Sequence, residues 1–320
     1  MRRPLVALTL AAALLVTAAC GSDSSTDEAG GTEEVTDVTV GIIPIVDVAP
    51  IYLGEEKGFF TKRGINLTME SGQGGAAIVP GVVSEQFQFG FSNVTSLLTA
   101  QTADVPVQIV ANGVASTGNP EADFGGVVVR GDSPIQTAAD LAGKKVAVNT
   151  LKNIGDTSVR ESVRKAGGNP DEIEFVEMAF PQMPAAVEGG QVDAAWMVEP
   201  SLAIAKDAGG RVVAWNFVDT APNLTVAVYF TSTKLAQENP DLVARFQEAM
   251  AESLSYANAH PDEVRTVLRS YTDIDQAILD AMTLPMWPAE INRASIERVA
   301  ELGLADGVFE SEPDLDALLP

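Results

Sequence analysis

Val38-Thr39-Val40-Gly41-Ile42-Ile43 is followed closely by Ala49-Pro50-Ile51-Tyr52-Leu53-Gly54-Glu55-Glu56-Lys57-Gly58, and then by Asn66-Leu67-Thr68-Met69. The first and last stretches are short and mostly apolar, as strands are. The middle one reads as a helix over 49–57, stopped by Gly58. The unit repeats. A helix is expected over 76–84, weakened by Pro80 and Gly81, with a strand at 87–91, a helix at 94–100 and a strand at 107–111. Short apolar strands separated by helices predict an α/β fold with a mostly parallel sheet covered on both faces.

The alternation then restarts. A strand is expected at 126–130, a capping-box start at Thr137-Ala138-Ala139-Asp140, and a strand at 145–148. A helix over 156–165, ended by Gly167-Gly168, leads to strands at 173–177, 194–197 and 212–216 with helices at 184–188 and 202–208 between them. Two such blocks in 320 residues suit two lobes, since a domain averages about 150 residues. After a strand at 226–231 the chain reads as helical: 240–259, 262–271, 274–282 and 291–302. Pro240 and Pro261 sit at first turns with acids beside the positive helix end. These helices lack a sheet and are expected to pack back on lobe one. Lobe one is therefore 38–124 plus 223–320 and lobe two 125–222, with two hinge crossings near Phe124 and Pro222.

Composition narrows the function. Lys plus Arg number 20 against 44 Asp plus Glu, a net charge of −24, which disfavours nucleic acid or an anionic membrane surface as partner. One Cys and one His exclude a disulfide framework, a Cys/His zinc site and a Cys–His nucleophile in the folded part. No cofactor or metal is expected, and the protein is expected to be a monomer.

The start of the chain sets the compartment. Met1-Arg2-Arg3, then apolar residues 5–16, then Thr17-Ala18-Ala19-Cys20 read as a signal peptide over 1–19, too short to span a bilayer. Val16-Thr17-Ala18-Ala19-Cys20 resembles a bacterial lipoprotein box, which implies lipidation of Cys20 and an extracytoplasmic, membrane-anchored protein. Residues 20–37 then form an acidic tether, with six acids and no Lys or Arg.

Ala49-Pro50-Ile51-Tyr52-Leu53-Gly54-Glu55-Glu56-Lys57-Gly58-Phe59-Phe60 and Gly64-Ile65-Asn66-Leu67 resemble the opening of the substrate-binding proteins of nitrate, sulfonate, taurine and thiamine-pyrimidine ABC importers. Ala139-Asp140-Leu141-Ala142-Gly143-Lys144-Lys145-Val146, Glu188-Gly189-Gly190-Gln191-Val192-Asp193, Glu199-Pro200 and Asn239-Pro240-Asp241-Leu242 follow in the family's order. The resemblance covers roughly residues 36–271. It implies a two-lobed periplasmic-binding-protein-like fold, closing on a small solute and delivering it to a membrane permease.

In such sheets ligands sit beyond the carboxyl ends of strands. The loop at 44–50 offers Asp47, which reads either as a contact or as a helix cap, with Tyr52 beyond it assigned to the core. The loop at 71–75 offers the N–H groups of Gly74 and Gly75 to an anion, or is a tight turn. Ser92 and Asn93 either bind or cap. The loop at 149–157 brings Thr150, Lys152, Gly155 and Thr157, with Lys152 favouring an anionic head and Asp156 read as the N-cap. Trp196 and Glu199 follow a strand, and Phe180 adds an aromatic wall beside Trp196. Rings with a few polar groups suit an organic sulfonate, carboxylate or heteroaromatic solute better than bare nitrate. Trp215 and Trp287 read as packing.

Two other readings compete. A thiamine-pyrimidine synthase resembles these binding proteins, but it relies on a His and a cysteine-rich motif that have no counterpart here. A lipid-tethered sensor of the same fold would be expected to show an exposed apolar patch or an added module.

Overall fold

A computed structural model describes residues 35–319. The signal peptide, the lipoprotein box with Cys20 and nearly all of the acidic tether lie outside the described residues. The first strand, β1, runs Thr36–Ile42, so Thr36 and Asp37 belong to the sheet and not to the tether. Asp37 accepts a hydrogen bond from Asn66 Nδ2 of the neighbouring strand at 2.7 Å.

Among the described residues, ten strands form two sheets. The first sheet contains β1, β2 (Ile65–Ser71), β3 (Phe89–Asn93), β4 (Val107–Ala115) and the late β10 (Thr225–Ser232), in the order β2-β1-β3-β10-β4. The second contains β5 (Gly125–Val129), β6 (Lys145–Val148), β7 (Glu174–Glu177), β8 (Ala194–Val198) and β9 (Arg211–Ala214), in the order β7-β6-β8-β5-β9. The orders correspond strand for strand, giving two lobes of one design.

Each sheet carries one antiparallel strand, which the expectation of a mostly parallel sheet did not specify. β10 opposes β3 and β4, and β5 opposes β8 and β9. These are the two strands that the chain enters by crossing from the other sheet. A strand entered directly from the seam starts there and runs away from it. A strand fed by a helix on the outer face runs toward it.

The crossings occupy residues 116–124 and 221–224, side by side: Ser116 N–H donates to the carbonyl of Leu224 at 2.9 Å. Buried Asp123 organises the first crossing, accepting from Ser116 Oγ, Thr117 N and Phe124 N at 2.6–2.9 Å.

The long helix Pro240–Ala259 packs on Ala49–Glu56, with Phe246 stacked on Phe89 at 3.8 Å. The two helices approach closely at Gly54, where a Cβ would stand 1.9 Å from Ser253 Oγ. The helix Gln276–Ala281 departs from the expected packing on lobe one, because it lies against Ser201–Asp207 of the second lobe. Arg293–Ala305 touches both lobes, through Val94–Thr102 and Ile154–Lys165. The expected strand at 212–216 stops at Ala214, and Asn216–Thr220 is a short helix. Among the described residues no helix is long and apolar enough to cross a membrane.

Candidate functional site

The carboxyl ends of β1, β3, β6 and β8 and the start of β10 meet at the seam between the sheets. A narrow cavity of about 30 Å³, lined by buried residues, lies there. Ile43, Ile45 and Phe180 also line an adjoining outer cleft of about 390 Å³, whose wall includes Gly72, Gln73, Ser201 and Tyr271. Both lobes supply walls to both spaces.

Asp47 lines the inner cavity from the single turn Val46–Val48. It does not cap the next helix, whose N-cap position is held by Val48 without a side-chain bond. Trp287 anchors this turn, its Nε1–H donating to the Asp47 carbonyl at 3.1 Å, so its role is to position the turn as well as to pack. The Asp47 carboxyl is 3% exposed and its Oδ1 has no partner. Burial pushes its pKa up to about 7; its own backbone N–H opposes the rise and Asp123 adds to it.

Asn93 both lines the cavity and caps the helix Val94–Thr102, accepting from Ser96 N at 3.0 Å. Across the seam, Asn153 caps Ile154–Lys165 and donates from Nδ2 to Ser96 Oγ at 3.0 Å. The cap reading of Asp156 is therefore corrected. It is the third helical residue and reaches back to accept from Lys152 N at 3.0 Å. Trp196 stands in β8 between Phe180 and Phe217, with centroids at 5.3 and 5.7 Å and both contacts edge-on. It is buried and also lines the cavity, and its Nε1–H is unpartnered.

The other predicted residues lie elsewhere. Ser92 is in β3, not a loop, and packs on Gly75, where a Cβ would fall 1.9 Å from its Oγ. Gly74 faces Thr150 and Asn149 of the other lobe, 3.0 and 3.3 Å from where its Cβ would stand. Gly155 makes room for Trp196, whose Cε3 lies 2.5 Å from a Cβ there. Thr157 is buried behind it with Oγ1 unpartnered. Lys152 is exposed and lines neither space, so it adds no positive charge to either wall.

Glu199 is a tie between the lobes. Its carboxylate accepts from Ala203 N at 2.9 Å and from Thr283 N at 3.1 Å, and its carbonyl accepts from Val46 N at 3.2 Å. Burial raises its pKa to about 7 against the pull of those two side-chain bonds.

Sequence reasoning missed Asn149, Phe91 and Phe217 as wall residues. Asn149 directly follows β6, the position that should have singled it out. Phe217 was hidden by reading its neighbourhood as a strand.

Residues 45–264 match the family model described as NMT1/THI5 like. The chain belongs to that family. It is 23% identical over 280 residues to the putative aliphatic sulfonates-binding protein of Bacillus subtilis, covering 85% of this chain and 80% of that one. It is also 23% identical to the formylaminopyrimidine-binding protein of Halalkalibacterium halodurans, over 83% of this chain and 78% of the relative. The alkanesulfonate-binding protein SsuA of Xanthomonas axonopodis pv. citri, solved with MOPS bound, superposes with a TM-score of 0.75 at 16% identity, over 90% of this chain and 99% of SsuA. The fold of the family member described here is the periplasmic-binding-protein fold, and these relatives are named as binding proteins.

Proposed function

We propose that the protein is the extracytoplasmic solute-binding lipoprotein of an ABC importer, anchored through Cys20, which closes its lobes on a small organic solute and hands it to a permease. The observation that carries this reading is the seam cavity, lined by buried residues of both lobes, with Asp47 Oδ1, Asn149 Oδ1 and Trp196 Nε1 unpartnered on residues that line it. A polar atom buried without a partner costs roughly 1–3 kcal/mol, so a ligand that satisfies several of them favours the closed form. The lobes, 38–124 with 223–320 against 125–222, would rotate about the paired crossings, and the names of the relatives agree with capture and release rather than catalysis.

The test is a thermal-shift panel of sulfonates, carboxylates, nitrate, pyrimidines and amines, paired with small-angle scattering. A solute at 100 times its Kd should add about 2.7 kcal/mol of stability and contract the particle. Chemical turnover of the hit, or stabilisation without contraction, would count against a binding protein. Growth with Cys20→Ala should release the protein from the membrane fraction.

A further inference from the structure

The seam has a charge bias of its own. Among the described residues no Lys, Arg or His lines the inner cavity or the outer cleft, and the charged side chains there are Asp47 inside and Asp273 outside. The inner wall also carries four aromatic rings, those of Phe91, Phe180, Trp196 and Phe217. Ring faces attract cations, and the attraction grows when both are shielded from water.

Resting on the solute-binding reading above, we infer that the solute carries a small cationic ammonium head, which enters the inner cavity to pair with Asp47 within the aromatic wall while its remainder lies in the outer cleft.

The layout agrees with this. Ile43, Ile45 and Phe180 line both spaces, so a head group in the inner one is continuous with a remainder in the outer one. Hydrogen bonding agrees as well. Asp47 Oδ1 and Asn149 Oδ1 are unmet acceptors against one unmet donor, Trp196 Nε1–H, so a head bearing several N–H groups meets the larger share.

Electrostatics points the same way. Asp123, which acts on Asp47, is also an acid, and the neighbours coupled to Asp47, namely Tyr229 and Tyr271 with Tyr52 beside them, are neutral at ordinary pH. Once ionised, Asp47 would repel an oxyanion, and a cation would supply the missing counter-charge.

The experiment is calorimetric titration of the purified protein with matched probes: propylamine and benzylamine against propanesulfonate and benzoate. The amines should bind and the oxyanions should not. Affinity for the amines should rise from pH 6 to pH 8 as Asp47 loses its proton. Asp47→Asn, an isosteric change that removes a buried charge, should keep the circular dichroism spectrum and lower amine affinity at least tenfold. Binding of the oxyanions instead would overturn the inference and leave the solute-binding reading standing. Amine binding that Asp47→Asn does not weaken would overturn it too. Silence from all four probes also overturns it, and the wider thermal-shift panel described above then decides the solute-binding reading separately.

Discussion

Asp47, Asp156 and Glu199 share a physical situation: each carboxyl is buried where water cannot solvate its charge, and pKa values rise to about 7, 6 and 7. Free Asp and Glu titrate near 4, so over the window above that value the folded state holds protons that the unfolded chain has released. Stability from these groups is present at low pH and is lost as pH rises through their folded values. The net charge of −24 acts with the same sign by adding self-repulsion. The midpoint of thermal unfolding without added solute should fall between pH 5 and pH 7.5, as scanning fluorimetry would show, and Asp47→Asn should flatten part of the slope. A midpoint that climbs across that window would mean the acids are paired in solution. Sequence supplied the residue types and their places at or near strand ends and turns, including Asp47, Asn93, Phe180 and Trp196, which line the cavity. It did not show which oxygen lacks a partner, because partners come from segments far along the chain.

At the scale of elements, the helix Ile154–Lys165 links packing to the site. Its second residue, Gly155, lies under the Trp196 ring, which is flanked by Phe180 and Phe217 and has little room to yield. Gly155→Ala should therefore lower the urea midpoint by about 1–3 kcal/mol equivalent, as overpacking does, and weaken solute binding by tilting the ring. An unchanged midpoint would show that the helix can slide. This element was partly legible. Its end at Gly167 was clear, but its start was placed two residues late because an acid at 156 looks like a cap until Asn153 is seen in that role. Asn216–Thr220, Thr233–Glu238 and Leu315–Leu318 were not anticipated, since helices of one turn or so are too short to show a 3.6-residue period. The 20-residue helix Pro240–Ala259 was read with its true bounds, thanks to Asn239, Pro240 and a sustained apolar stripe.

Across the whole molecule, contacts at the seam hold the lobes together. Beside Glu199 and the Ser96–Asn153 pair, Glu161 of the second lobe accepts from Arg298 at 3.0 Å, and Arg164 pairs with both Glu161 and Asp306. Glu199→Ala removes the accepting carboxylate from Thr283 N–H, and it should enlarge the radius of gyration of the unliganded protein. Apparent affinity should then drop several-fold in proportion to the closed fraction. The ranking of solutes should not change, because Glu199 lines neither space; a changed ranking in competition titrations would place it in the binding wall. The sequence by itself determined the alternation of strands and helices, the two-lobed α/β fold and the loops that end at the cleft, because apolar periodicity and turn residues act locally. Only the tertiary structure decided that β5 and β10 run against their neighbours, that Lys152 stays outside both spaces, that Glu199 ties the lobes and that a carboxylate and four rings line one cavity at the seam. Those outcomes depend on which distant segments exclude water from one another, and no local pattern encodes that.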